Sequence, residues 1–294
     1  MKNILLTGSS SGFGKVTAQV LAADGHHVFA TMRNTETKNR IPAQHLTDWA
    51  ELHNLQLTVL DLDVTSDDSA ECAMHEIAGR TGGKIDVLVN NAGVGYLGLN
   101  ETLSVSQMER MFQVNVIGPD RMIKHVLPYM HQREKGLIIN LSGTASRIPL
   151  PVMGAYSATK AALDALTISY YYELASAGIG IALVQPGMFP STNLITNQPV
   201  PANPEVTDLY GYEMELVRES IVEKYKPGPF KPEPIEVAYA IRDIIRAPSA
   251  FRSLWTIVQG GVKEQSVRHI NQATRELVDS FLQVAGVVHE VDIR

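Results

Sequence analysis

Short apolar runs alternate with longer segments of mixed polarity along most of the chain. Ile4–Thr7, Val28–Met32, Leu57–Leu62, Ile85–Val89, the run opening at Ile138, Ile179–Val184 and Leu254–Val258 read as strands. The segments between them read as helices: about Lys15–Ala23, Thr37–Leu52, Asp67–Arg80, Ser106–Met130, the segment carrying Tyr156, and Ile235–Arg246 with apolar residues at 237, 241, 244 and 245. Such alternation predicts an α/β protein with a doubly wound parallel sheet in a single domain. Ligands of these sheets bind outside the carboxyl ends of the strands. Gly8–Gly14, Asn90–Gly93, Ser142–Ser146 and Pro186–Thr192 all follow predicted strands, so they should converge on one edge.

Two segments break the rhythm. Residues 190–234 are rich in proline around a helix-like piece at about Tyr210–Tyr225, which suits a lid or binding loop better than a linker. About Lys263–Val284 is an amphipathic helix within a C-terminal tail reaching residue 294.

Composition adds bounds. The 294 residues, 45% hydrophobic and 19% charged, can bury a full core. A net charge of −6 without a basic stripe argues against a nucleic-acid partner. The single cysteine, Cys72, has no internal partner, which fits a reducing compartment; its helical context favours buried packing. No run approaches a membrane span, and the chain enters its first strand directly, so a cytoplasmic protein is expected.

Three motifs carry chemistry. Gly8-Ser9-Ser10-Ser11-Gly12-Phe13-Gly14 sits between a strand and a helix, where glycines admit a pyrophosphate and the helix N-terminus favours it. Met32 and Arg33 end the second predicted strand, with no acid until Glu36; an Arg there suits a 2′-phosphate, and Ser10 adds a hydroxyl donor, so NADP is preferred over NAD. Tyr156 and Lys160 lie four apart on one helical face, where an ammonium would bring the phenol's pKa towards neutrality. Asn115 stands in an apolar stretch. The histidines form no H-E-x-x-H or Cys/His cluster, so no metal site is expected; G-x-S-x-G and the P-loop motif are absent.

Together Thr7–Gly14, Asp63-Val64, Asn90-Asn91-Ala92-Gly93, Asn115, Tyr156-Ser157-Ala158-Thr159-Lys160 and Pro186-Gly187 resemble the short-chain dehydrogenase/reductase family over about residues 3–192, more weakly to 258. Ala30-Thr31-Met32-Arg33 and the long lid resemble its 17β-hydroxysteroid and retinol dehydrogenase branch. The resemblance implies a Rossmann-type fold and a homodimer or homotetramer. It makes Tyr156 the general acid/base and Lys160 the group that lowers its pKa and holds the nicotinamide ribose. Asn115 would support a water. Asp63 and Val64 would lie at the adenine, Asn91, Ala92 and Gly93 at the ribose, and Pro186, Gly187 and Ser191 at the nicotinamide.

One position departs from the family. Its serine, thirteen residues before the tyrosine, is Gly143 here, flanked by Ser142 and Thr144. Ser142, Thr144 or a water could stand in. The expected activity is interconversion of a hydrophobic ketone or aldehyde with its alcohol, in a pocket lined by Val94–Leu97, Thr144–Ile148, Met188–Phe189 and the lid. Gly143 motivates the rival reading of a nucleotide-binding regulatory or redox-sensing protein. A sugar-nucleotide epimerase also uses Tyr-x-x-x-Lys, but the glycine spacing and short C-terminal region count against it.

Overall fold

A computed structural model describes residues 1–190, 192, 198–226, 228, 231–259, 261 and 264–286. Seven strands form one parallel sheet: β1 (Asn3–Leu6), β2 (His27–Met32), β3 (Leu57–Asp61), β4 (Val87–Asn90), β5 (Gly136–Leu141), β6 (Ile179–Pro186) and β7 (Trp255–Val258). Their spatial order is β3-β2-β1-β4-β5-β6-β7, so the winding reverses between β1 and β4. A crevice opens at such a reversal, outside the carboxyl ends. The expected Rossmann-type fold is the one observed.

The helices are α1 (Gly12–Ala23), α2 (Arg40–Leu52), α3 (Asp67–Thr81), α4 (Val105–Phe112), α5 (Gly118–His131), α6 (Gly154–Glu173), α7 (Gly211–Lys224), α8 (Ile235–Arg246) and α9 (Glu264–Val284). Alternate strand residues enter different cores. Ile4, Leu6 and Ala30 pack with α1, α2 and α8 through Leu21, Leu46 and Ile241. Leu5, Phe29 and Leu88 pack with α3, α5 and α6 through Ile77, Val126 and Ile168. Sheet faces covered on both sides explain why the strands read as unbroken apolar runs. Each fully buried Leu or Ile contributes about 1.5–3 kcal/mol.

The continuous helix expected over Ser106–Met130 is instead α4, a π turn at Gln113–Ile117, and α5. Pro119 cannot donate to the carbonyl of Asn115, so a regular helical bond is missing at that point. The widened turn carries Asn115 inward, where it is 1% exposed. Cys72 is a second correction, because it is exposed rather than packed inside. Helix α3 buries Ala70, Ala73, Met74 and Ile77, and Cys72 projects from the side opposite that stripe.

Candidate active site

A cleft of about 1220 Å³ runs along the carboxyl ends of β1, β2, β4, β5 and β6. It gathers residues from each of the four turns that the sequence places after strands: Ser10, Ala92, Gly143 and Gly187 among them.

The glycine loop forms because two approaches exclude a side chain. Gly8 has φ +74°, and a β-carbon on it would lie 2.7 Å from Ala92 Cα; one on Gly14 would lie 2.1 Å from the Gly8 carbonyl oxygen. Thr7 Oγ1 accepts from the Asn91 and Ala92 amides, each at 3.0 Å. The Asn91 side chain donates through Nδ2 to the carbonyls of Thr7 (2.8 Å) and Gly8 (2.9 Å). Gly8, Ser10, Ser11 and Phe13 line the cleft, whereas Gly12 and Gly14 shape the loop behind it. The first turn of α1 carries no acid, so its positive end is uncompensated by the helix itself.

At the end of β2, Arg33, Lys38, Asn39 and Pro42 line the same cleft. The Asn39 side chain donates to the Arg33 carbonyl at 2.7 Å. Asp61 lies at the end of β3, but its carboxylate already accepts from the Thr35 amide and hydroxyl at 2.7 and 3.0 Å. Asp63 and Val64 line the cleft as expected. Burial opposes the Asp63 carboxylate, but hydrogen bonds from Thr65 outweigh it and hold the pKa below its ordinary value. Lys38 was not singled out from sequence: it lies in a turn, beyond any strand-end motif. Its spacing from Arg33 was the available signal.

Helix α6 presents Tyr156 and Lys160 to the cleft one turn apart. The Lys160 ammonium donates to the Leu141 carbonyl at 2.9 Å and stands 5.7 Å from the Tyr156 ring centre. The electrostatics differ from the sequence expectation. Burial, reinforced by the neighbouring Tyr225 phenol, pushes the Tyr156 pKa well above its ordinary value. Burial likewise lowers Lys160 to about 8, with Asp164 working in the opposite direction. The cation is close, but partial desolvation of the phenol dominates its acidity in the free protein.

Three further placements refine the sequence reading. The Asn115 side chain is fully engaged: it accepts from the Val94 amide (2.8 Å) and donates to the Val94 carbonyl (2.8 Å) and Thr159 Oγ1 (3.0 Å). Its amide fastens the segment after Gly93 to α6 rather than facing the cleft. Ser142 follows the last residue of β5, and its hydroxyl donates to the Lys160 carbonyl at 3.4 Å. Ser142 still lines the cleft, with its hydroxyl directed to the base of α6 in this arrangement. Gly143 faces the cleft, and a β-carbon on it would lie 4.0 Å from the Tyr156 hydroxyl.

Pro186, Gly187, Met188 and Phe189 line the cleft, while Ser191 lies outside the described residues. Of the expected pocket lining, Val94, Gly95, Thr144, Ala145 and Ile148 take part; Tyr96 and Leu97 are buried in the packing beneath. Leu150, Met153 and Tyr225 complete a largely apolar end, with Tyr225 reaching Met153 Sδ at 3.9 Å. Among the described residues, no cluster of His, Cys, Asp and Glu could hold a metal ion. Nor is any described helix long and apolar enough to cross a membrane.

The fold and cleft define a dinucleotide-binding α/β protein, and comparison with known proteins gives the family. The model described as short chain dehydrogenase matches residues 2–200, so the chain belongs to that family. It is 36% identical over 186 residues to 3-ketodihydrosphingosine reductase of Bacteroides thetaiotaomicron, covering 63% of each chain. Retinol dehydrogenase 8 of Bos taurus is 37% identical over 189 residues, covering 63% of this chain and 58% of the relative. The matches thus span about three-fifths of those relatives' lengths. The latter likeness falls on the retinol and hydroxysteroid dehydrogenase-like branch. A short-chain dehydrogenase from Streptomyces avermitilis has the same fold over 97% of this chain and 98% of its own, with a TM-score of 0.72 and 28% identity.

Proposed function

We propose that the protein is an NADP(H)-dependent oxidoreductase that interconverts a hydrophobic ketone or aldehyde with the corresponding alcohol. The observation that carries this reading is the opening of Tyr156 and Lys160 into the same cleft as the glycine loop. The relatives' names, a ketone reductase and an alcohol dehydrogenase, support it.

The residues fit a nicotinamide dinucleotide. Gly8, Ser10, Ser11 and Phe13 would border the pyrophosphate at the α1 N-terminus. Asp63 and Val64 would border the adenine, and Asn91 to Gly93 a ribose. Arg33, helped by Lys38, would take the 2′-phosphate, because guanidinium and ammonium groups pair with it where a carboxylate would repel it. Pro186 and Gly187 would border the nicotinamide. When bound, the cofactor supplies or accepts the hydride.

This chain's own contribution is proton transfer and orientation. In reduction, hydride adds to the carbonyl carbon and Tyr156 gives its phenolic proton to the oxygen, which yields the alcohol; oxidation reverses both transfers. Burial keeps the phenol protonated and ready to donate. Lys160, with its pKa near 8, is largely cationic at neutral pH and stabilises the phenolate left behind. Asn115 orients the Gly93–Val94 edge of the site. The apolar end beside Met153 and Tyr225 favours an apolar substrate, and the described part of the 190–234 segment, which brings Thr192, Gln198, Lys224, Tyr225 and Pro232 to the cleft, acts as its lid within a single domain.

Gly143 favours a second reading, a nucleotide-binding regulatory or redox-sensing protein with reduced turnover. The two are separated by NADPH oxidation with a panel of hydrophobic ketones and aldehydes, using Tyr156→Phe alongside the parent. An oxidoreductase oxidises NADPH with some of them and loses that rate in the variant. Tight nucleotide binding without turnover on any of them overturns the oxidoreductase reading.

A further inference from the structure

Behind the reaction centre lies a closed ring of four side chains, each from a different part of the fold. Asp164 of α6 has a fully buried side chain. Its Oδ2 accepts from Gln185 Nε2 of β6 at 2.8 Å and from Ser146 Oγ at 2.7 Å. The Arg147 guanidinium, just past the turn that follows β5, stands 3.3 Å from the same oxygen. Arg147 Nε donates to Asn271 Oδ1 of α9 at 2.9 Å. Asn271 Nδ2 closes the ring by donating to Gln185 Oε1 at 2.7 Å.

We propose that Asp164, Arg147, Gln185 and Asn271 are positioning residues, a ring through which the C-terminal helix α9 sets the geometry of the reaction centre. The inference rests on Tyr156 and Lys160 being that centre. Three of the four ring members adjoin something that borders the cleft. Asp164 lies one helical turn beyond Lys160 and two beyond Tyr156, on one face of α6. Gln185 directly precedes Pro186 and Gly187. Arg147 and Ser146 end the turn that begins at Gly143, beside the Tyr156 hydroxyl.

Stability alone does not account for such a ring. Replacing a buried ion pair with apolar groups is often neutral or stabilising, because both charges must leave water. A buried polar network with most of its groups paired does something apolar packing does not: it selects one arrangement among several. Here it holds the turn at 143–147, the end of β6 and α6 in one register. It also sets the Asp164 carboxyl, whose own pKa burial raises, where it opposes the effect of burial on Lys160. Asn271 is 3% exposed, does not line the cleft, and belongs to a helix beyond the residues 2–200 that match the family.

The test uses the full chain with Asn271→Leu, which removes both ring contacts of α9, and Gln272→Ala, an exposed neighbour, as control. Steady-state kcat and KM, NADPH affinity and hydrogen–deuterium exchange of residues 142–150 are measured well below each variant's Tm. In Asn271→Leu, kcat should fall at least tenfold, NADPH affinity should change less than threefold, and exchange at 142–150 should accelerate at least tenfold. Gln272→Ala should match the parent in all three. Arg147→Lys keeps a charge near Asp164 but cannot also bridge to Asn271; it should shift kcat and exchange in the same direction if Asn271→Leu fails to fold. Unchanged exchange at 142–150, or a kcat loss no larger than the loss of folded protein, overturns the ring. A parent that turns over no carbonyl overturns the oxidoreductase reading instead, while the exchange measurement still decides the ring.

Discussion

A β-carbon on Gly143 would stand 4.0 Å from the Tyr156 hydroxyl, 3.6 Å from the Pro186 carbonyl oxygen and 3.9 Å from the Ala145 amide nitrogen. The backbone at Gly143 is extended, with φ 166° and ψ 158°, a conformation open to any residue. The site therefore has both the room and the backbone for a serine hydroxyl at the tyrosine. Gly143→Ser should raise kcat/KM for carbonyl reduction at least tenfold, since one well-placed donor is typically worth ~2.7–4 kcal/mol in a transition state. Parallel kinetics of parent and variant check this. An unchanged rate would mean that another group already polarises the carbonyl.

Tyr156→Phe removes the proton donor and leaves the ring in place. Its kcat should fall by about 10²–10⁴-fold, the usual range for a general acid. NADPH affinity, read from cofactor fluorescence, should stay within threefold, because the cleft wall is preserved.

Arg33 and Lys38 line the cleft beyond β2, where Asp61 is already engaged by Thr35. Arg33→Ala should weaken NADPH binding by about 10–100-fold, in line with ~1.5–3 kcal/mol for a hydrogen bond to a charged group. Lys38→Ala should have a smaller effect in the same direction. NADH affinity should barely change in either variant. Equal losses for both nucleotides would remove the 2′-phosphate from this corner.

The Lys160 pKa, lowered by burial from 10.5 to about 8, predicts a sign for stability against pH. Between these values the unfolded chain binds more protons than the folded one, so this residue's contribution to stability rises with pH across that window. Relative to Lys160→Met, the cofactor-free parent should gain up to ~3 kcal/mol on going from pH 7.5 to 10.5. Urea unfolding of both proteins at the two pH values measures the difference. A gap that stays constant would mean that the lysine titrates in the fold as it does in water.

Gly14→Ala tests the glycine loop by crowding. Its new methyl would have to occupy a point 2.1 Å from the Gly8 carbonyl oxygen and 2.4 Å from Asn91 Nδ2. Backbone must move to admit it, so NADPH affinity should fall more than tenfold and the Tm should drop by several degrees. Titration of the variant with NADPH and a thermal melt read both effects.

The order of strands and helices, the parallel winding and the family were legible in the chain alone. They depend on local rules: apolar runs for strands buried on both faces, glycines where backbones meet, and a four-residue spacing that places Tyr156 beside Lys160 on α6. Predicted element ends moved by a few residues at most, and Ile235–Arg246 matched α8 at both ends. What the chain alone left undecided depends on direction and burial. Periodicity did not reveal that Asn115 turns inward from a π turn, or that Cys72 leaves the packed side of α3. It did not show that the Ser142 hydroxyl bonds to the Lys160 carbonyl while the adjacent Gly143 stands nearest the Tyr156 hydroxyl, although both line the cleft. The tyrosine–lysine pair shows the division most plainly. Sequence set the two groups one helical turn apart. Tertiary packing then buried Lys160 and half-buried Tyr156, and this desolvation, more than their proximity, shifts their acidity in the free protein.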